Sequence, residues 1–84
     1  MMTDMNWFEI WFDDKNSILE CMVRNMQSDL NAGYNPLGNS IQSQLTEIEN
    51  YRNAIDAKLE EFSKMEDRAV NRWCYYDLKR RGAI

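Results

Sequence analysis

Residues Asn39 to Glu66 read NSIQSQLTEIENYRNAIDAKLEEFSKME, and the spacing of their apolar side chains decides what kind of chain this is. Ile41, Leu45, Ile48, Ile55, Leu59 and Phe62 follow one another at steps of three and four, with Arg52 at the one skipped position. That rhythm draws an apolar stripe along one side of a helix and fits no strand. Asn39 or Ser40 offers a polar cap at its start. Continued to residue 66, the helix is about 40 Å long at 1.5 Å per residue.

A stripe of that length needs a partner of similar length. Met5, Phe8, Phe12, Lys15, Leu19, Met22 and Met26 repeat the same steps in the first third of the chain. Between the two arms lies GYNPLGN, residues 33–39, where Gly33 can adopt a left-handed, helix-ending backbone and Pro36 forces the residue before it out of helical geometry. The pattern predicts an antiparallel hairpin: a helix over about 5–31, a loop over 32–39 and a helix over about 40–66. In that register Phe8 lies near Phe62, Phe12 near Leu59 and Met26 near Leu45. Lys15 reaches the neighbourhood of Asp56 or the solvent at the seam's edge. DDKNS, residues 13–17, is a place where the first arm can break, with Asn16 capping a second piece.

The end of the chain, NRWCYYDLKRRGAI over residues 71–84, supplies a third element. A helix over about 67–81, stopped by Gly82, groups Val70, Trp73, Cys74 and Leu78 on one face and places Lys79, Arg80 and Arg81 at its negative end. Folded back from the open end of the hairpin, it covers Trp7, Trp11 and Ile18 of the first arm. The expected fold is all-α, a single domain over 1–84. The alternative is α+β, since NWFEIWF and RWCYYDL are rich enough in aromatic and branched residues to pair as a two-stranded ribbon over 6–12 and 72–78.

Composition limits the function. A chain of 84 residues with 44% apolar and 29% charged side chains belongs to the folded class, and one this small leaves association open because it buries only about 60% of its unfolded surface. No apolar run approaches the roughly 20 residues of a membrane span, and the opening residues are acidic where a signal peptide is basic, so the expected compartment is the cytoplasm. Two cysteines and no histidine assemble neither a disulfide framework nor a zinc site. With no histidine, no phosphate-binding glycine loop and no nucleophile beside an activating base, the chain reads as a non-enzyme without cofactor or metal.

Charge is unevenly spread. Residues 1–63 carry eleven acids and four bases, while 64–84 carry six bases and three acids. On the third helix Arg68, Arg72, Tyr75 and Lys79, flanked by Tyr76, fall opposite the apolar face; Arg and Tyr are prominent in binding hot spots. A solvated face that balances the helix dipole is the plainer reading of the same residues. On the second helix Glu47, Asp56, Glu60 and Glu61 can stand in for phosphates in a basic channel or simply keep the helix solvated. Tyr34 and Leu37 in the loop either project as a recognition tip or fold inward to plug the end of the hairpin.

GYNPLGNSIQSQL and the terminal NRWCYYDLKRRGAI resemble small helical proteins of unknown role carried by phages and mobile elements of Gram-positive bacteria. The resemblance implies a compact acidic protein that occupies a site on a host protein, as anti-CRISPR proteins do on nucleases. The expected function is therefore a protein-binding module, in its narrower form an inhibitor of a host defence nuclease. One alternative is a self-associating helical protein with Trp7, Trp11 and Trp73 buried between copies; another is a nucleic-acid accessory, disfavoured by the net charge of −4.

Overall fold

The computed structural model describes residues 5–33 and 39–84; the side chains of 39 and 40, and with them the loop positions Tyr34 and Leu37, lie outside the described residues. Three helices follow one another: α1 (Trp7–Asn31), α2 (Asn39–Phe62) and α3 (Asp67–Arg81). The fold is all-α, with α1 and α2 paired as a hairpin and α3 laid along α1. Residues 6–12 and 72–78 enter helices rather than a ribbon, because their apolar side chains meet at helical spacing around a shared aromatic core. No described helix is long and apolar enough to cross a membrane.

α1 runs unbroken through Asp13–Ser17, so Asn16 caps nothing. Its true start is capped twice. The Asn6 side chain accepts from the Glu9 N–H at 3.3 Å, and Asn71 of α3 accepts from the Phe8 N–H at 3.1 Å while donating to the Met5 carbonyl at 3.0 Å. Two of the four donors that a helix start leaves unmet are thereby satisfied, one of them across 63 residues of chain. α2 ends at Phe62, earlier than its periodicity suggests. The Ser63 hydroxyl donates to the Glu60 carbonyl, and Lys64 and Met65 N–H groups bond back to Glu61 and Phe62, which turns the chain into α3.

Both helix-ending glycines have left-handed backbones, φ 80° at Gly33 and 77° at Gly82. After α3, Gly82 N–H bonds to Lys79 and Ala83 N–H to Leu78, the paired closure that satisfies the last carbonyls of a helix.

The core sits at the open end of the hairpin. Trp11, Phe62, Val70, Cys74 and Leu78 are buried there, with Trp7, Phe8, Phe12, Leu59 and Trp73 packed around them. Phe8 meets Phe62 edge-on at 6.0 Å, as the register requires, and Trp11, Phe62 and Trp73 touch pairwise at 5.3 to 6.0 Å. Such edge-to-face contacts add to what burial alone contributes. Trp11 is only 2% exposed within the single chain, while Trp7 and Trp73 are half-buried. Farther along the hairpin α3 stops, and among the described residues Ile48 and Ile55 are the remaining buried side chains. Leu45, expected in the seam, is 40% exposed there.

Candidate contact surface on α3

One face of α3 is anchored by Val70, Cys74 and Leu78, all under 9% exposed. Within that face lies an acid, Asp77. Its carboxylate accepts from the Trp11 indole N–H at 2.9 Å and from Arg80 at 2.7 Å, and pairs with Lys15 at 3.3 Å. Lys15 thus turns to α3, not to Asp56, because Asp77 offers a partly buried carboxylate where the α2 side of the seam offers none. Burial alone would raise the Asp77 pKa. Hydrogen bonds from Arg80 and Trp11 and the charge of Lys15 outweigh it and hold the group below the ordinary carboxylate value.

A second tie closes the other end of α3. Arg81 donates to Asp14 of α1, beside Tyr51 of α2, whose phenol burial and the Asp14 charge push above its usual pKa. Arg80 and Arg81 are therefore committed within the fold. Burial, followed by the Asp77 charge, pushes the Cys74 thiol up to about 12, which keeps it protonated and inert. Cys21 is exposed on α1 and both thiols are free.

With that face fixed, the opposite face of α3 points outward. Arg68, Arg72 and Lys79 are exposed and, among the described residues, pair with no carboxylate. Arg68 to Lys79 spans about 16 Å of helix. Tyr76 is 58% exposed, the most open large apolar side chain of the described chain. Tyr75 differs from its neighbour: its ring meets Trp7 edge-on at 4.9 Å, with Lys79 Nζ 5.8 Å from its centre, so it supports the stripe more than it projects from it.

The acidic positions on α2 stand apart from this surface. Glu47, Asp56, Glu60 and Glu61 are exposed, and Glu61 is held by Lys58 at 3.0 Å. Asp56 and Glu60 share one side of the helix, with Glu47 and Glu61 on another, so the four do not converge. Two anchors escaped the sequence reading, Asp77 and Asn71. Asp77 lies three residues after Cys74 on the apolar face, and a buried indole needs an acceptor, which is the signal that points to it. Asn71 carries no such signal, since its partners are backbone atoms. Comparison with protein-family models, curated proteins and solved structures finds no match.

Proposed function

We propose that the protein is a non-enzymatic binding module that uses the outer face of α3, Arg68, Arg72, Tyr76 and Lys79, to hold an acidic surface of another protein. One observation carries this reading: three cations that pair with no carboxylate among the described residues flank an exposed tyrosine, on a helix whose other face is pinned by buried side chains and by Asp77. A pinned platform loses little conformational freedom on binding, and Arg and Tyr supply two-pronged hydrogen bonds and rigid contact area. Charge supports it too. α3 has five bases and two acids, whereas α1 and α2 have five acids and two bases each, so an acidic partner is steered to α3 and turned away from the rest.

A second reading rests on α2. Glu47, Asp56 and Glu60 are exposed without an ion pair among the described residues, which suits carboxylates that displace phosphates from a basic channel, as an inhibitor of a host nuclease would. Direct binding of nucleic acid to α3 ranks behind both, given the net charge of −4.

The test compares three purified proteins as bait in host lysate: wild type, Arg72→Glu/Tyr76→Ala, and Asp56→Lys/Glu60→Lys. Each captured protein is then purified and titrated directly. The proposal expects the α3 variant to lose at least about 100-fold in affinity, the scale of two hot-spot residues, with the α2 variant unchanged. Loss in the α2 variant alone transfers the function to the carboxylates. Equal binding by all three removes both surfaces.

A further inference from the structure

The chain has more surface than its mass calls for. A compact monomer of 10.1 kDa exposes about 5,300 Å² and has a radius of gyration near 12 Å. This one exposes 6310 Å² and has a radius of 16.0 Å, spread over 49 × 24 × 16 Å. The excess of about 1,000 Å² is close to what one partner buries in a standard interface, about 800 Å². It goes with the elongated arrangement of the helices. α3 covers one side of the hairpin, and on the other side no described element covers α1 and α2.

That bare side carries Phe12, Leu19 and Val23 of α1 and Leu45 and Leu59 of α2 at helical spacing. Three of the five exposed large apolar residues belong to it: Met5 at 54%, Leu30 at 43% and Leu45 at 40%. Two helices side by side, about 20 Å wide and 37 Å long, present roughly 740 Å², again the size of one half of a dimer interface. At the open end, a groove of about 740 Å³ lies between the start of α1, the end of α2 and the start of α3, lined by Met5, Phe8 and Leu59 and by Asp67, Arg68 and Asn71. Near the other end stands Leu30, 43% exposed. A hollow at one end and an exposed leucine at the other suit an antiparallel copy.

We infer that two chains pair through this face, antiparallel and about a twofold axis, to form a four-helix layer with α3 on each outer side. Matching the hollow at Met5 to the partner's Leu30 puts the axis at the level of Ile18, and the hairpin's own register carries that level across to α2. Phe8 meets Phe62, Met22 lies beside Ile48 and Asp29 accepts from Gln44, so the level of Ile18 on α1 matches that of Ala54 on α2. An axis at that level sets Phe12 against the partner's Val23 and Met5 against the partner's Leu30. It also sets Arg52 against the partner's Asp56, and this follows without a second adjustment. Charge favours a copy over a foreign protein. Arg52 sits between Glu49 and Asp56, none of them ion-paired among the described residues, and the twofold rotation lays the base of one chain on the acid of the other, whereas a partner of one sign leaves the other unmet. The pairing reaches Arg68 at the rim of the groove but leaves Arg72, Tyr76 and Lys79 open, so Arg72→Glu tests the function proposed above without touching the pairing.

Sedimentation equilibrium of the full chain from about 1 to 200 µM is the test, with circular dichroism to show that each variant is folded. The expected result is twice the 10.1 kDa chain mass over most of that range. Val23→Glu weakens the dimer at least about 100-fold. Arg52→Glu, an exposed charge reversal that leaves the fold intact, weakens it about 10-fold, and adding Asp56→Arg restores it. Arg72→Glu on α3 leaves the mass unchanged. A chain that stays monomeric to 200 µM overturns the inference, including one whose bare face is shielded only when another protein is added. A dimer indifferent to both Val23→Glu and Arg52→Glu overturns it as well.

Discussion

Replacing Asp77 tests the fold's inner logic most directly. In Asp77→Ala the Trp11 indole N–H, in a side chain only 2% exposed, loses its acceptor where water cannot take over; such an orphaned donor costs about 1–3 kcal/mol. Lys15, with 13% of its side chain exposed, loses its carboxylate and adds roughly 1 kcal/mol, well short of a fully buried pair because it can lean outward. The expected loss is about 3 kcal/mol out of roughly 4–12 for a chain of this size, or a fall in Tm of about 15 °C. Asp77→Asn keeps an oxygen for Trp11 and loses only the charge, so its deficit at pH 7 is about 1 kcal/mol. The sign with pH follows from the depressed pKa. The carboxylate holds its proton less tightly in the folded chain, so its contribution is complete above the unfolded value near 3.9 and fades as pH falls through the folded value. Urea unfolding followed by tryptophan fluorescence at pH 7 and pH 2.5 reads both effects. The Asn variant's deficit should shrink at the lower pH. A deficit for Asp77→Ala under about 0.5 kcal/mol, or one for Asp77→Asn that is the same at both pH values, refutes the assignment of Asp77 as the central tie of α3.

Other outcomes follow from the same geometry. Native protein at pH 8 should react with a thiol reagent at one cysteine per chain, Cys21, and at both in denaturant; fast reaction of Cys74 would contradict its burial and its pKa of about 12. Leu78→Ala, at a side chain 1% exposed, should destabilise by about 2–5 kcal/mol in urea titrations, with a small effect showing that α3 is loosely attached. Asn71→Ala should cost about 1–2 kcal/mol and speed exchange of the Phe8 amide hydrogen; unchanged exchange at Phe8 would mean the cap across the helices does not form in solution.

The two arms, the turn after Asn31 and the placement of α3 were legible because each depends on a local rhythm of apolar residues or on a glycine. Single residues within that rhythm were not equivalent. Ile41, Leu45, Ile48, Ile55, Leu59 and Phe62 look alike in sequence, yet Ile48, Ile55 and Phe62 are buried, Leu59 is half-buried at the edge of the core and Leu45 is 40% exposed. The end of α2 was misjudged because a serine hydroxyl bonding its own backbone, at Ser63, leaves no periodic trace. Lys15 was misjudged for a different reason: its partner is 62 residues away on an element whose register cannot be known before the fold is. At the surface, the outward direction of Arg68, Arg72 and Lys79 followed from the apolar face behind them. The difference between Tyr75 and Tyr76 did not, because it depends on Trp7 arriving from another helix.

Cover is unequal along the hairpin, and this links the tail to the bare face. At the open end α1 is clasped from two sides, by Phe62 and Leu59 of α2 and by Val70, Cys74 and Leu78 of α3. Beyond the tie of Arg81 to Asp14, the two helices have only each other among the described residues, and a pair of helices can bury little more than its central seam. In a lone chain, local opening should therefore begin in the outer arm, over 22–31 and 41–50, and spread toward Trp11. Pairing through the bare face would protect that arm selectively and leave the amides of α3 little changed. Hydrogen exchange measured at low and high protein concentration separates the two cases: a gain confined to the outer arm at high concentration fits pairing there, and a gain centred on α3 places self-association on the basic stripe instead.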